Sequence, residues 1–118
     1  KNGFFLMVEG AQIDWGGHDN DTDYLITELL DFDKTIGVAL DFAAKNAETL
    51  VIVTADHETG GFTLSTDDGN YNKIKPTFST GGHSATMVPI FAKGPGEENF
   101  GGIYKNTALF QKMMDIFK

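Results

Sequence analysis

The chain has 118 residues, of which 41% are hydrophobic, and its formal net charge is −8. This length fits one domain or a part of one, and the composition is that of a globular protein rather than a disordered one. The acidic balance argues against duplex DNA as the main partner. The lack of cysteine excludes disulfides and thiolate metal sites. No apolar run approaches the roughly 18 residues of a membrane helix.

A continuous apolar run, FFLMV at residues 4–8, begins almost at once. Such a run predicts a strand that is buried on both faces. Residues 9–23 are polar and contain three glycines, which predicts a loop at the carboxyl end of that strand. No signal peptide is visible, but the abrupt start leads us to expect a piece of a longer protein.

A helical pattern follows, because apolar residues recur every three or four positions. These residues are Leu25, Leu29, Phe32, Ile36, Leu40, Ala43 and Ala47. Asp21, Thr22 and Asp23 suit the N-terminal cap and the helix dipole. The pattern fits either one helix or two helices that restart near Asp31, since Asp31 and Asp33 are also good caps.

Two further strands are predicted downstream of this helix. Residues 49–55, TLVIVTA, are rich in β-branched side chains and predict a second buried strand. Strand, helix and strand in that order form a βαβ unit, which implies parallel strands. Residues 61–80 are polar and predict a short hairpin with DDGN as its turn. Residues 87–92, MVPIFA, predict the third strand, in which Pro89 indicates an edge or a bulge.

The last predicted element is a helix that Asn106 caps and that runs through Phe117. Its apolar face would contain Leu109, Phe110, Met113, Met114 and Phe117. The alternation of strands and helices predicts an α/β fold, a partial and mostly parallel sheet with packed helices.

All three histidines lie in short acidic, glycine-rich segments beside predicted strands. In an open parallel sheet, ligands bind at the carboxyl ends of the strands. Asp14 and His18 are four residues apart and would share a face if their loop makes a helical turn. The candidate metal ligands at this edge of the sheet are Glu9, Asp14, His18, Asp56, His57 and His83.

The number of candidate ligands bears on the number of metal ions. For one histidine alone, a hydrogen-bonded structural role is an equal alternative, but three in matching segments favour metal binding. Six candidates exceed the three or four protein ligands of one tetrahedral zinc ion, so two or three ions would use the set fully. Two zinc ions about 4 Å apart form a clamp that suits in-line displacement at phosphorus.

Three strings of the sequence also match a known family: FFLMVEGAQIDWGGH, LVIVTADHETGGF and TGGHSATMVPIFAKGPG. They resemble the C-terminal part of bacterial alkaline phosphatases, with E-x4-D-x3-H, TADH and TGGH in that order, and the resemblance covers most of the chain. It implies that one zinc ion is held by Asp14, His18 and His83. It implies further that a second zinc ion is held by Asp56 and His57, and a magnesium ion by Glu9.

The resemblance implies hydrolysis of small-molecule phosphate monoesters through a phosphoserine intermediate. In the family, the nucleophilic serine follows an aspartate in a D-S-A-like motif and an arginine clamps the phosphate. This chain contains no such motif and no arginine. We therefore expect residues 1–118 to be the C-terminal portion of an alkaline phosphatase domain whose nucleophile-bearing N-terminal part is absent, and to be inactive when isolated.

The resemblance also implies a periplasmic or extracellular location and allows a homodimer, and neither a nucleic-acid nor a membrane partner is expected. Two alternatives stay open. One is another enzyme of the same superfamily, namely a phosphodiesterase, sulfatase or phosphomutase, although Glu9 and the TADH string favour the monoesterase. The other is a non-catalytic zinc-binding module. By the same resemblance, Trp15, which directly follows Asp14, stands at a position that varies among members of the family.

Overall fold

The computed structural model describes residues 3–117, which contain three α-helices, one 3-10 helix and six short strands. The elements in chain order are α1 (Ala11–His18), α2 (Thr22–Asn46), β1 (Val51–Thr54), β2 (Glu58–Thr59), β3 (Thr63–Asp67), β4 (Asn70–Thr77), β5 (His83–Ser84), β6 (Ile90–Lys93), the 3-10 helix (Glu97–Phe100) and α3 (Ala108–Ile116). The chain divides into two units. The first comprises Lys1–Phe32 and Thr59–Ser84, and the second comprises Asp33–Glu58 and Ala85–Lys118.

In the first unit, the segment that the sequence predicted as a loop contains a helix, α1. Gly16 and Gly17 are buried in this helix. A Cβ atom on Gly16 would lie 2.7 Å from the backbone nitrogen of Leu25. Glycine costs helix stability by about 1 kcal/mol relative to alanine, but here it allows α1 to lie directly against the first turn of α2.

The long helix α2 is continuous over Thr22–Asn46, so the prediction of one helix is confirmed and the alternative of a mid-helix restart is wrong. Asp21 caps it as predicted, because its Oδ1 accepts the backbone N–H of Tyr24 at 3.0 Å. Two apolar residues of the predicted stripe, Leu25 and Ala43, are buried.

The predicted hairpin is confirmed and its strands are longer than the sequence indicated. β3 and β4 pair antiparallel from Thr63↔Thr77 to Thr66↔Ile74, with an irregularity after Thr66. The two residues between the strands, Asp68 and Gly69, have φ angles of 46° and 77°. Two consecutive left-handed residues are typical of the type I′ turn, for which Asp-Gly is a favoured pair.

In the second unit, β1 pairs antiparallel with β6, from Val51↔Lys93 to Thr54↔Ile90. Pro89 directly precedes β6, where its missing N–H removes no ladder hydrogen bond. The Thr54 hydroxyl donates to the Pro89 carbonyl at 3.1 Å. Residues 87–92 were predicted as one strand with Pro89 inside it, whereas β6 begins after this proline. Because β6 belongs to a two-stranded sheet among the described residues, it is an edge strand, as the proline indicated.

The turn after β6 is specified by backbone geometry and by one carboxylate. Gly94 has φ 126°, and a Cβ atom there would lie 2.4 Å from the Thr49 carbonyl oxygen, so only glycine fits. Glu97 accepts the N–H of Gly94 at 2.7 Å. This hydrogen bond lowers the pKa of Glu97, and Lys93 adds to the effect.

The C-terminal helix α3 covers Ala108–Ile116, with Thr107 rather than Asn106 at its N-cap position. The preceding segment is held by polar contacts. The Tyr104 hydroxyl donates to the Phe100 carbonyl at 2.8 Å, and the Lys112 ammonium lies 4.4 Å from the centre of the Tyr104 ring.

The predicted fold class, an α/β fold with a partial and mostly parallel sheet, is wrong. Among residues 3–117 each of the three sheets has two strands, and the β1–β6 and β3–β4 ladders are antiparallel. Residues 4–8 form no strand there, and their side chains are 55–78% exposed. Without that strand there is no βαβ unit in the described part of the chain. A continuous apolar run predicts burial, but it does not by itself identify the strand with which it would pair.

The antiparallel pairing of β1 and β6 has a simple physical reason. The segment that joins them contains the β3–β4 hairpin and no α-helix. A parallel crossover is usually helical, whereas a connection built of hairpins returns the chain in the opposite direction.

Among residues 3–117, none of the helices has the length and apolar character of a membrane span.

Candidate metal centre

Helix α1 places two of the predicted ligands on one face. Asp14 and His18 are separated by one helical turn, and Asp14 Oδ2 lies 3.4 Å from His18 Nε2. The sequence predicted a shared face if the segment makes a helical turn, and this prediction is confirmed.

The loop before β5 brings His83 to the same place. His83 Nε2 lies 3.2 Å from His18 Nε2 and 3.6 Å from Asp14 Oδ1. One ligand atom from each of the three residues lies within 4.8 Å of the other two. We refer to Asp14, His18 and His83 as the ligand cluster.

These separations fit a metal ion. Two ligand atoms bound to a tetrahedral zinc ion at about 2.0–2.1 Å lie about 3.4 Å apart. The 3.2 Å between the two histidine nitrogens and the 3.4 Å between His18 Nε2 and Asp14 Oδ2 are close to that value, and the other oxygen of Asp14, Oδ1, lies 3.6 Å from His83 Nε2. Its side chains are 37–49% exposed, so the cluster is accessible to an ion and to a further ligand.

A backbone carbonyl determines which nitrogen of His18 faces the cluster. His18 Nδ1 lies 2.8 Å from the Gly81 carbonyl oxygen. Because a carbonyl only accepts, Nδ1 carries the proton, and the neutral ring presents the lone pair of Nε2 to the cluster. Metal-binding histidines are usually oriented by a hydrogen bond of this kind.

Glycines allow the three segments of the centre to approach closely. A Cβ atom on Gly17 would lie 3.0 Å from the Thr59 side chain, and one on Gly60 would lie 2.7 Å from the Gly17 carbonyl oxygen. Gly60, with φ 86°, also donates to the Gly82 carbonyl at 2.9 Å and accepts from the Ser79 N–H at 2.9 Å. Gly60, which has no side chain, therefore joins three segments: the end of α1, β2 and the TGGH loop.

The other three predicted ligands are not members of the cluster. Glu9 is exposed and precedes α1 by two residues. Asp56 and His57 belong to the second unit, where His57 Nε2 lies 3.1 Å from Asp56 Oδ2. Asp56 is 82% exposed and His57 is 29% exposed. The assignment of these three residues to metal ions stays a prediction.

Sequence reasoning missed the residues that orient the ligands. Thr59 contacts Asp14 and Gly81 contacts His18, but neither has a side chain of a metal-ligand type. Only their positions in the sequence could have indicated this role, because Thr59 follows the TADH string by two residues and Gly81 lies within TGGH.

A family model described as alkaline phosphatase matches residues 1–76. The chain belongs to the alkaline phosphatase family. It is 56% identical to alkaline phosphatase 3 of Bacillus subtilis strain 168, an alignment that covers 100% of this chain and 40% of the relative. It is 36% identical to the alkaline phosphatase of Escherichia coli K12 across 96% of this chain and 27% of that protein.

Solved structures of alkaline phosphatases agree with this membership. A mutant of the TAB5 enzyme with Mg bound in its M3 site superposes with a TM-score of 0.93 at 58% identity, covering 97% of this chain and 36% of that one. The alkaline phosphatase from the Antarctic bacterium TAB5 gives a TM-score of 0.90 at 57% identity. The chain therefore spans about two fifths or less of the length of these relatives, and the family resemblance of its three strings is confirmed.

Proposed function

We propose that this chain is the metal-binding C-terminal portion of a phosphate monoesterase that works through a phosphoserine intermediate. The observation that supports this best is the ligand cluster, in which one carboxylate and two imidazole nitrogens converge at distances suited to a single ion. The nucleophilic serine and the phosphate-clamping arginine would come from the rest of the protein, since this chain has no arginine.

The donor set of the cluster favours zinc over magnesium. Two imidazole nitrogens and one carboxylate oxygen are typical of zinc, whereas magnesium prefers six oxygen ligands. Three protein ligands leave one position of a tetrahedral ion for water or substrate, which is typical of catalytic rather than structural zinc sites. A bound ion would stabilise negative charge on the oxygens around phosphorus.

The charges of the chain's own residues fit an anionic substrate. Asp14 contributes one negative charge, and the two histidines bind an ion in their neutral form. A divalent cation held by this set keeps a net positive charge, which attracts a phosphate dianion to the exposed side of the cluster. His18, fixed by the Gly81 carbonyl, holds its nitrogen in place for that ion.

By the family resemblance, we assign Asp56 and His57 to a second zinc ion and Glu9 to a magnesium ion. The adjacent Asp56 carboxylate and His57 imidazole are chemically suited to a zinc ion. The exposed Glu9 carboxylate is an oxygen ligand of the kind that magnesium prefers. Location in the periplasm or outside the cell, and assembly as a homodimer, also follow from the resemblance and are part of the proposal.

A comparison of turnover for three chromogenic esters that share the same leaving group distinguishes this proposal from its alternatives. The full-length protein would be assayed with p-nitrophenyl phosphate, bis(p-nitrophenyl) phosphate and p-nitrophenyl sulfate at saturating zinc and magnesium. We expect kcat/KM for the monoester to exceed the others by about 100-fold or more, and chelation to abolish turnover until metal is restored. Preference for the diester or sulfate would favour another enzyme of the superfamily. Zinc binding without any turnover would favour the non-catalytic module.

A further inference from the structure

Helix α1 ends in a tight turn at Asn20. The Asn20 N–H donates to the Gly17 carbonyl at 3.2 Å, and the Asp21 N–H donates to the Gly16 carbonyl at 3.1 Å. Asn20 has φ 53°, and a left-handed residue with these two hydrogen bonds forms the Schellman motif that ends many helices. Glycine is the usual residue at this position, so the backbone turn alone does not require an asparagine.

The side-chain amide of Asn20 joins this turn to the TGGH loop. One polar atom of the amide lies 2.8 Å from the Thr80 carbonyl oxygen and 3.1 Å from the Gly17 carbonyl oxygen. Carbonyls only accept hydrogen bonds, so the atom that faces them is the amide nitrogen, which has two protons to donate. Asn20 therefore links a carbonyl in the last turn of α1 to a carbonyl of the loop that leads to His83.

Three consecutive carbonyls of the TGGH loop accept hydrogen bonds from three separate places in the first unit. The carbonyls are those of residues 80, 81 and 82, and their donors are the Asn20 amide, His18 Nδ1 and the Gly60 N–H. Together these donors fix the direction of the loop immediately before His83. The middle carbonyl is the one that orients the His18 ring, so its position depends on the hydrogen bonds on either side of it.

We propose that Asn20 is a positioning residue of the metal centre, whose amide fixes the Gly81 carbonyl and thereby the direction of the His18 imidazole. The proposal rests on the proposed function, because it assumes that His18 binds a metal ion. Residues that orient metal ligands typically change metal affinity by about 10–100-fold when they are replaced. Asn20 is exposed and acts through the loop, so we expect an effect near the lower end of that range.

Asn20→Gly in the full-length protein removes the amide and keeps the turn, because glycine adopts the φ of 53° without strain. Asn99→Gly is the matched control. The Asn99 amide makes a bond of the same kind, to the Gly96 carbonyl at 3.1 Å, in the second unit. Zinc affinity would be measured by competition with a chromogenic chelator, and thermal unfolding of the metal-free protein would measure stability.

We expect Asn20→Gly to weaken zinc binding at one site by about 10-fold and to shift the visible bands of the cobalt-substituted protein, because the direction of one imidazole ligand changes. The melting temperature of the metal-free protein should fall by less than about 5 °C. Asn99→Gly should keep the wild-type zinc affinity and cobalt spectrum.

A purely structural role for Asn20 would lower the melting temperature and leave the zinc affinity of the folded protein unchanged. Zinc affinity within about twofold of the wild type in Asn20→Gly would therefore overturn the proposal. Weaker zinc binding that is accompanied by a larger fall in melting temperature, or that is equalled by Asn99→Gly, would also overturn it.

His18→Ala distinguishes failure of this proposal from failure of the proposed function. If His18→Ala loses a zinc ion while Asn20→Gly keeps wild-type affinity, only the role of Asn20 is wrong. If His18→Ala itself retains full zinc content and affinity, His18 is not a ligand, and the proposed metal centre is wrong together with the role of Asn20.

Discussion

Asp14→Ala in the full-length protein is expected to lower kcat/KM for p-nitrophenyl phosphate by about 10³-fold or more. Asp14 supplies the only negative charge of the ligand cluster, and its loss leaves two histidines to hold the ion. A catalytic metal contributes several kcal/mol to transition-state stabilisation, and each 1.36 kcal/mol corresponds to a factor of ten in rate. Steady-state kinetics and elemental analysis of the purified variant would measure the loss of activity and of zinc together.

Asp41→Ala is the matched control for this variant. Asp41 is exposed on α2, lies outside the ligand cluster, and occupies a helical position where alanine is favourable. We expect its kcat/KM and zinc content to stay within about twofold of the wild type, as is usual for surface substitutions. An Asp14→Ala variant as active as Asp41→Ala would show that the cluster has no part in catalysis.

The isolated 118-residue chain is expected to turn over p-nitrophenyl phosphate at least about 10⁴-fold more slowly than the full-length protein, even with zinc and magnesium added. Loss of the nucleophile removes the covalent route altogether, and losses of this order or more follow when an attacking group is deleted from an enzyme. The chain also has no arginine to bind the phosphate.

The same assay has an internal check. Chelator competition would show whether the isolated chain binds zinc at all, so that inactivity is not confused with an empty site. Activity near that of the full-length protein would mean that this chain supplies its own nucleophile, and the proposed division between the two parts of the domain would be wrong.

Features that depend on residues close together in the sequence could be predicted, both in the metal centre and elsewhere in the fold. The spacing of Asp14 and His18 requires only one helical turn to bring them together, and α1 provides it. The DDGN turn and the Asp21 cap likewise depend on residues close in sequence. The convergence of His83, 65 residues from His18, was predicted from the assumption that all the motifs lie at one sheet edge.

The assumed parallel sheet was wrong, because strands that pair in a sheet can be far apart in the sequence. Residues 4–8 have the composition of a buried strand, but composition does not specify a hydrogen-bonding partner, and they form no strand among the described residues. β1 was assigned a parallel neighbour and has the antiparallel β6 instead. His83 reaches the cluster because backbone segments approach each other closely around Gly60 and form hydrogen bonds there. The sequence shows a glycine at this position, but it does not show which segments approach it.

The central claim is that one divalent ion is bound jointly by Asp14, His18 and His83. Its most direct test is a crystal structure of the full-length protein with zinc, with anomalous difference maps recorded on both sides of the zinc absorption edge. We expect a peak about 2.0–2.2 Å from Nε2 of both histidines and within bonding distance of the Asp14 carboxylate. A fully zinc-loaded, active protein with no anomalous peak between these three side chains would contradict the account.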